Sequence, residues 1–384
     1  MSARPLPPLA VTTVGSWPRP PELLKAQRDY RAGRLTREAF DRAADEAVVQ
    51  LLKLQDEAGV DLVTDGEQRR DNFYSFVAEK LTGVKLMTLA EMLEVVEDKA
   101  GFERILQTLD VPAYSISNPT CVGKVARRAP LAVDELRFVQ RHTDKPVKVP
   151  LPGPYLLTRA MFVKEVTGAH YPSREELGND VVALLRDEVR ELIAAGADFI
   201  QFDEPVLTEL VFTQGQTRTF MCAALAAGRD PAYELELAVR LNNRVLEGFE
   251  SSGVRFGLHV CRGNWSQDES TLLRGSYHPL RPHLEALRAR QLVLEYATEH
   301  AGDLLPFQGK ELGLGVVNPR TERVETVDEV RASIDRALKL YPAEKLFVNP
   351  DCGFGTFSNR PVNSTQVALA KMKVVSQAAR AARG

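Results

Sequence analysis

A histidine and a cysteine two residues apart, His259 and Cys261, have the spacing that most clearly points to chemistry. On a β-strand, the two-residue period directs both side chains to one face, where an imidazole nitrogen and a sulfur can reach one ion. Glu295 and Cys352 each follow another short apolar run. Two thiolates, an imidazole and a carboxylate are a good ligand set for Zn²⁺. The His-x-Cys spacing alone is a weak signal, because a buried cysteine is usually a small apolar residue, so both interpretations stay open.

Two acidic residues, Glu67 and Asp203, also follow short apolar runs, and Ser16 follows Gly15 after another. An acidic pair can bind a cationic group of a substrate, and a serine with neighbouring backbone N–H groups can bind an anionic one. Each acid could instead cap the next helix or pair with a nearby arginine, and Ser16 could be a helix N-cap. Residue types alone do not separate substrate contact from these structural roles.

All of these residues lie near the end of a recurring sequence pattern. The pattern is an apolar stripe at helical spacing, a glycine, a short β-branched run and then polar residues. Its clearest copies pass through Gly59, Gly196 and Gly253. Most of the runs are continuously apolar, as in parallel strands buried on both faces. The predicted strands are 11–14, 60–64, 147–151, 198–202, 254–258, 291–294, 312–317 and 345–348.

Strands that alternate with helices in this way predict an α/β fold, a (βα)8 TIM-type barrel whose polar strand ends meet in one site. An open doubly wound sheet is the alternative, but no G-x-G-x-x-G fingerprint follows a strand. We expect residues 1–384 to form a single catalytic barrel domain, with an extra segment at about 111–128 after the second strand.

Composition narrows the class of protein. Lys and Arg number 49 against 52 Asp and Glu, a net charge of −3, which argues against nucleic acid or an anionic membrane as the main partner. No apolar run is long enough for a membrane span, and prolines interrupt the first residues where a signal peptide needs an apolar core, so we expect a cytoplasmic protein. Four cysteines are too few for a disulfide framework in 384 residues. Cys121 and Cys222 lack neighbours suited to chemistry, and we interpret them as structural.

The sequence resembles the catalytic C-terminal barrel of cobalamin-independent methionine synthase, in the shorter single-barrel branch of that family. The resemblance extends from near the N-terminus to the last predicted strand, and its His-x-Cys, Glu and N-P-D-C-G elements occur together in the expected order. The matching stretches are TTVGSWP at 12–18, DLVTDGEQRRD at 61–71, FIQFDEPVL at 199–207, HVC at 259–261, LE at 294–295 and VNPDCG at 348–353.

The resemblance implies a zinc-dependent methyltransferase that converts homocysteine to methionine. The positions matching the family's zinc ligands are His259, Cys261, Glu295 and Cys352. The positions matching the residues that hold the amino acid part of homocysteine are Gly15, Ser16, Glu67 and Asp203, and we assign Glu67 and Asp203 as catalytic residues as well. Binding to zinc would remove the proton of the substrate thiol, and Glu295 is the ligand expected to yield to the incoming sulfur.

Two departures from the family concern the methyl donor. Ala160 lies near the place of a tryptophan that stacks on the folate, and Asn318-Pro319-Arg320 stands where the longer enzymes carry a candidate proton-donating histidine. Folate chemistry needs a proton on the leaving nitrogen, whereas methylcobalamin leaves without one. The expected donor is therefore 5-methyltetrahydrofolate or methylcobalamin, either free or carried by a corrinoid protein.

Three alternatives remain. A zinc alkyltransferase acting on another thiol, such as coenzyme M opening an epoxide, would not need Glu67 and Asp203 to face the metal. A zinc-water hydrolase would favour histidine and carboxylate ligands over two cysteines. The third alternative is a non-catalytic protein, with either a structural zinc or no metal. A structural zinc is usually bound by ligands close together in the sequence, as in C-x-x-C pairs.

Overall fold

Short strands alternate with helices along most of the chain in the computed structural model, which describes residues 4–97, 99–100, 117–212, 230–264, 266–269 and 272–384. The strands are β1 (Ala10–Val11), β2 (Leu81–Thr88), β3 (Ser117–Arg127), β4 (Lys148–Pro152), β5 (Phe199–Asp203), β6 (Arg255–Val260), β7 (Gln291–Leu294), β8 (Glu311–Val317) and β9 (Leu346–Pro350). The α-helices are Pro21–Arg31, Arg37–Glu57, Leu89–Val95, Val133–Gln140, Pro154–Met161, Lys164–Thr167, Arg174–Ala194, Val206–Phe212, Pro231–Leu246, Arg281–Glu285, Val327–Leu338 and Thr365–Arg383. Single 3-10 turns span Ser75–Glu79, His278–Leu280, Glu299–Ala301 and Ala343–Lys345.

Seven strands form one parallel sheet in the order β1-β9-β8-β7-β6-β5-β4. Adjacent pairs from β4 to β9 follow the chain in sequence, and an α-helix lies on each intervening segment except the one between β7 and β8, which carries the 3-10 turn Glu299–Ala301. The α/β class and the parallel sheet are therefore confirmed. The strand ends agree with the sequence prediction to within two residues for β5 to β9.

The predicted strand at 60–64 is reduced to two single parallel bridges. Thr12 pairs with Leu62 beside β1, and Val63 pairs with Val147 beside β4. Residues 62 and 63 thus connect the two edge strands of the curled sheet, an arrangement consistent with a TIM-type barrel. A segment this short gives few ladder hydrogen bonds, which is why it is not a regular strand.

A separate antiparallel pair, β2 with β3, follows that segment, with Leu81 opposite Arg127 and Thr88 opposite Ser117. The sequence analysis did not predict β2, because its apolar residues do not alternate and most of its side chains are partly exposed. The extra segment expected at about 111–128 begins in residues 111–116, which lie outside the described residues. Its remainder is largely β3, and the expected boundary stays a prediction.

Side chains inside the curled sheet change from apolar at one end to polar at the other. Near the N-terminal ends of the strands, Phe199 and Phe347 contact edge to face, with ring centroids 6.3 Å apart. Farther along β6, Phe256, Leu258 and Val260 belong to the large apolar core, while His259 between them lines a cavity at the opposite end. The period-two alternation therefore gives one face of β6 to the core and the other to the site.

The helices that precede β5 and β9, Arg174–Ala194 and Val327–Leu338, begin at capping side chains. Ser173 and Thr326 accept hydrogen bonds from the backbone N–H groups of Glu176 and Glu329, respectively. The Glu329 carboxylate in turn accepts a hydrogen bond from the backbone N–H of Thr326, which completes a capping box. Such caps fix where each helix starts, and hence where each strand-to-helix loop must turn. Among the described residues, no helix is both long enough and apolar enough to cross a membrane.

Candidate active site

His259, Cys261 and Cys352 converge at the carboxyl ends of two strands. His259 is the fifth residue of β6, Cys261 follows that strand directly, and Cys352 follows the end of β9. All three are buried, and one ligand atom from each lies within 4.8 Å of the other two. Sequence spacing predicted this meeting, since parallel strand ends lie at one rim. The group has the separation and the donor types of a metal site.

Hydrogen bonds orient the histidine toward the sulfurs. The Nδ1 of His259 lies 3.2 Å from the backbone oxygen of Val293, to which a protonated Nδ1 donates, and its Nε2 lies 3.5 Å from the Sγ of Cys352. Such a partner on Nδ1 leaves the Nε2 lone pair for a metal. A hydrogen bond from the Cys352 thiol lowers the pKa of Cys261 well below the usual value and raises the pKa of Cys352. One sulfur of the pair is thus already stabilised as the thiolate that a metal binds.

The fourth predicted ligand, Glu295, is not part of this group. Its carboxylate accepts hydrogen bonds from the Nη2 of Arg320, at 2.9 Å to Oε1 and 3.1 Å to Oε2, and from the backbone N of Arg262 at 2.9 Å. The Arg320 side chain is fully buried. The structure therefore brings together three of the four predicted ligands, while Glu295 is held by a neighbouring arginine.

Glu67 and Asp203 line the same cavity as the three ligand residues, together with Ser16. Burial raises the pKa of Glu67 to about 7 and that of Asp203 to about 6. Glu67 Oε2 is buried and has no hydrogen-bond partner among the described residues, whereas Asp203 Oδ1 accepts one from Gln201 at 2.9 Å. Buried carboxylates with pKa values raised in this way are characteristic of functional sites.

The structural alternatives for these acids do not match what is seen. The arginines next to Glu67 in sequence pair elsewhere, Arg69 with Asp45 and Arg70 with Glu135. Ser16 is not a helix N-cap either, because the first helix starts at Pro21. Glu204, the neighbour of Asp203, is the residue whose carboxylate accepts N–H groups at the start of the helix Pro154–Met161.

Close backbone contacts join the loops that carry the site. A Cβ on Gly15 would lie 2.5 Å from Glu67 Oε1, and a Cβ on Gly353 would lie 2.1 Å from the Oγ of Ser16, so a side chain at either position would displace one of these two groups. Glu67 itself has a φ of +54°, a left-handed conformation that costs about 1 kcal/mol or more in a non-glycine residue. Arg19 donates to the carbonyl oxygen of Glu67 at 2.7 Å and stabilises this turn.

The cavity includes residues that the sequence analysis did not single out for the site. These are Val14, Pro205, Glu209, Gly263, Asn264, Gly353 and Thr356. Asn264 donates to the oxygens of Gly353 and Thr356, at 2.5 Å and 2.9 Å, and so joins the loop after Cys261 to the loop after Cys352. In the sequence, the feature that could have indicated a site role for Asn264 is its position three residues after the predicted ligand Cys261. Phe73 also lines the cavity.

The two other cysteines lie away from this group or outside the description. Cys121 is buried in β3 and its Sγ donates to the oxygen of Gly123 at 3.0 Å. Cys222 lies outside the described residues.

Comparison with known proteins places the chain in a family. Residues 9–379 match the family described as "Cobalamin-independent synthase, Catalytic domain". The chain is 30% identical to the methionine synthase of Thermococcus kodakarensis over 359 residues, 92% of this chain and 89% of that protein. It is also 30% identical to the 5-methyltetrahydropteroyltriglutamate–homocysteine methyltransferase of Streptomyces avermitilis, of which it covers 40%.

Solved structures agree with this match. A B12-independent methionine synthase from Shewanella sp. W3-18-1, in complex with selenomethionine, superposes with a TM-score of 0.73 at 26% identity, over 98% of both chains. A putative vitamin-B12 independent methionine synthase from Listeria monocytogenes, at 18% identity and a TM-score of 0.69, shares the fold. The chain belongs to the cobalamin-independent methionine synthase family and is a methyltransferase.

Proposed function

We propose that this chain transfers a methyl group from a 5-methyltetrahydrofolate-type donor to the sulfur of L-homocysteine, giving methionine, with zinc held by His259, Cys261 and Cys352. One observation carries the proposal: a soft-metal ligand group and two poorly compensated carboxylates open into the same cavity. Homocysteine has the matching pair of groups, a thiol and an ammonium, at opposite ends of a short chain.

The residues fit zinc by the chemistry of their donors. Two sulfurs and an imidazole within mutual reach suit a soft, tetrahedral dication, and the fourth position is left to Glu295 or to substrate. When bound, zinc lowers the pKa of a substrate thiol and holds the sulfur as a nucleophilic thiolate at neutral pH. The His259 hydrogen bond to Val293 fixes the ring in the orientation this needs.

Glu67 and Asp203 bind the substrate ammonium in this proposal, and Ser16 with nearby backbone N–H groups binds its carboxylate. Positive neighbours, Arg70 for Glu67 and His259 for Asp203, do not outweigh the desolvation that raises the pKa values of the two acids, and the substrate ammonium adds the further positive charge that would. Binding at the amino acid end then directs the sulfur toward Cys261 and Cys352. Binding energy at the amino acid end of the substrate thus orients the reacting sulfur at its other end.

The methyl transfer breaks the donor N–CH3 bond and forms the S–CH3 bond. The electron pair of the broken bond stays on the donor nitrogen, which takes up one proton, while the homocysteine thiol loses one. Arg320 cannot supply that proton, because its pKa is raised further above its ordinary value by the buried pair with Glu295, against the opposing effect of burial. The cavity is also lined by Glu209, a carboxyl group that is not one of the two proposed to bind the ammonium.

The folate-type donor is favoured by the relatives rather than by the residues of this chain. The Streptomyces relative is named for a 5-methyltetrahydropteroyltriglutamate donor, and the matched family is named cobalamin-independent. A corrinoid protein partner has no support among these relatives. The alkyltransferase alternative predicts acids that do not face the metal group, whereas Glu67 and Asp203 line its cavity.

A methyl-transfer assay tests the proposal. Zinc-loaded protein is incubated with L-homocysteine and, in parallel, 5-methyltetrahydrofolate, its triglutamate form or methylcobalamin, and methionine is measured. We expect methionine with homocysteine and a folate donor, and no methylated product when coenzyme M replaces homocysteine as the acceptor. Methionine formed from methylcobalamin alone would overturn the donor assignment, and no methionine from any donor would overturn the function.

A further inference from the structure

Arg19 contacts three of the loops that surround the cavity. Its Nη1 donates to the backbone oxygens of Trp17, at 3.4 Å, and of Gly355. Its Nη2 donates to those of Glu67, at 2.7 Å, and of Arg70, at 2.9 Å. These oxygens belong to the loop after β1, the loop that precedes the first 3-10 turn and the loop after β9. One guanidinium therefore joins three separate loops of the site.

This guanidinium is buried and has no acidic side chain as a hydrogen-bond partner. Arg19 is 4% exposed, and among the described residues it forms no ion pair and donates only to backbone oxygens. Buried arginines are usually paired with an acid. One that is satisfied by main-chain oxygens instead fixes the backbone, because its planar fork holds several donors in one geometry. Arg19 is thus suited to hold loops in place.

The backbone that Arg19 holds has an unfavourable conformation. Gly66 and Glu67 are both left-handed, with φ of +66° and +54°. A non-glycine residue keeps such a conformation only where its surroundings hold it. Among the described residues, Arg19 is the only side chain that donates to the Glu67 oxygen. The direction in which the Glu67 carboxylate enters the cavity therefore depends on Arg19.

The same contacts hold Ser16, on the other side of the amino acid site. The backbone N of Phe354 donates to the Ser16 oxygen at 3.0 Å, so the loop after β9 packs directly on Ser16. Arg19 joins this pair of loops to the Glu67 turn through the oxygens of Gly355 and Glu67. The spacing between the Ser16 hydroxyl and the Glu67 carboxylate is thus set in part by one side chain that lines neither group's part of the cavity.

We propose that Arg19 is a positioning residue that fixes Glu67 relative to Ser16 and so makes the cavity selective for sulfur compounds that carry an α-amino acid group. The inference rests on the proposed function, in which Glu67 binds the ammonium and Ser16 the carboxylate. An α-amino acid carries both charged groups on one carbon, so both are bound together only if the two sites keep a fixed spacing. Loss of the Arg19 contacts should therefore weaken recognition of the ammonium most.

The first arm of the test observes Glu67 itself, without metal or substrate. The full chain is labelled with carbon-13 at the glutamate carboxyl groups and titrated by NMR, and the Glu67 signal is the one that Glu67→Gln removes. Burial raises the pKa of Glu67 to about 7, and the charged groups that act on it are Arg70, Asp203, Arg19 and Asp65. We expect Arg19→Lys to lower this pKa by about one unit or more, because a released turn admits water while the positive charge remains.

Arg69→Lys is the matched control, since it is the same substitution in the same loop. Arg69 pairs with Asp45 and lies over the ring of Phe138, away from the carbonyl oxygens that Arg19 binds. The titration of Glu67 in this variant should equal that of the wild type. If the titration in Arg19→Lys also equals that of the wild type, the turn does not depend on Arg19 and the proposal is overturned.

The second arm measures selectivity in the zinc-loaded protein. Calorimetry at pH 8 compares methionine with 4-(methylthio)butanoate, which lacks only the ammonium. We expect the wild type to prefer methionine about a hundredfold, and we expect Arg19→Lys to reduce this preference to about tenfold or less. A role in stability alone would weaken the binding of both compounds equally, and an unchanged preference in Arg19→Lys would overturn the proposal.

A double variant tests whether Arg19 acts through Glu67. In the Glu67→Gln background, Arg19→Lys should change the preference by about threefold or less, whereas an equal loss in both backgrounds would place the effect of Arg19 elsewhere. If the first arm behaves as expected and the wild type shows no preference for methionine, the proposed substrate is wrong while the hold of Arg19 on Glu67 stands. Circular dichroism and zinc content check each variant. If Arg19→Lys does not fold, Arg19→Gln takes its place, and a wild-type preference in that variant overturns the proposal.

Discussion

The two halves of the cavity differ in how completely their polar groups are satisfied. On the sulfur side, Cys261 and Cys352 share a hydrogen bond and His259 is held by a backbone oxygen. On the carboxylate side, Glu67 has a left-handed backbone conformation and an oxygen without a partner among the described residues, and its pKa is raised to about 7. One half is organised before any ligand arrives, whereas the other stores unfavourable free energy.

The difference indicates what stabilises each half of the cavity: contacts within the protein on the sulfur side, and a bound cationic ligand on the carboxylate side. Ligand residues on rigid strand ends need little from the substrate to hold their geometry, so the metal group should survive loss of the acids. Glu67 and Asp203 are desolvated charges, which a cationic ligand compensates when it binds. The carboxylate half should therefore control substrate affinity and apoprotein stability without controlling metal content.

The largest expected effect separates the two halves by removing a sulfur. Cys261→Ser and Cys352→Ser should each lower zinc affinity by more than about a hundredfold, since even outer partners of a zinc site change affinity 10- to 100-fold. Zinc content after dialysis, measured by atomic emission, checks this. Cys121→Ser is the matched control, because Cys121 is buried in β3 away from the group, and it should keep its zinc. Full zinc in both site variants would remove the ligand assignment.

Removing a carboxylate should do the reverse. Asp203→Asn and Glu67→Gln should each weaken methionine binding by about ten- to a hundredfold, the usual contribution of a hydrogen bond to a charged group, while zinc content stays at the wild-type value. Isothermal titration calorimetry with methionine measures the first quantity. Loss of zinc from these variants would show that the two halves are not separable.

Glu67→Gln should also stabilise the apoprotein. The folded-state pKa of Glu67 is raised from 4.5 to about 7, so folding takes up a proton between these values and the free energy of unfolding falls as pH rises through them. Above pH 7 the variant should gain about 1–3 kcal/mol, a gain that disappears as pH falls below about 4.5, where the carboxyl becomes protonated in both states.

Chemical denaturation of the metal-free protein at several pH values measures this gain. Glu135→Gln is the control with the opposite sign, because Glu135 is paired with the buried Arg70 and its pKa is lowered despite its burial. A Glu67→Gln variant less stable than the wild type at pH 8 would show that the acid is compensated by contacts within the protein.

The smallest expected effect is a pH dependence of methionine affinity. Methionine has no thiol to titrate, so its binding reports the acids alone. As pH falls through about 7 and then about 6, Glu67 and Asp203 become protonated, and affinity should weaken by up to about tenfold per pH unit for each acid. In Glu67→Gln the upper inflection should disappear. Affinity independent of pH between 5.5 and 8 would place the ammonium elsewhere.

The sulfur half was readable from sequence because its signals are local. The His-x-Cys spacing on a continuously apolar run fixes two donors on one strand face, and β6 lies where the pattern places it. The (βα) alternation then supplies the rule that Cys352, after the last strand, meets them at the same rim. Local spacing and a topological rule predicted that these side chains meet, while the resemblance to a known family was needed to favour a metal site over buried structural cysteines.

The partners of Glu295 could not be read in this way. Its position after β7 predicted a ligand, but the ion pair with Arg320 depends on how the loops after β7 and β8 pack, which no local pattern encodes. Strand β2 was missed for a related reason, since its pairing with β3 does not bury an alternating face. Likewise, Asn264 lines the cavity through bonds to residues about 90 positions away in the chain.

The most direct test of the two-half site compares L-homocysteine with 4-mercaptobutanoate, which keeps the thiol and the carboxylate but lacks the ammonium. Sulfur coordination at the zinc of the loaded protein is followed by X-ray absorption as each compound is added. We expect both to add a sulfur to those of Cys261 and Cys352, with homocysteine effective at about a hundredfold lower concentration in the wild type and with most of that preference lost in Glu67→Gln. Equal concentrations for the two compounds in the wild type would contradict the assignment of the carboxylate half to a substrate ammonium.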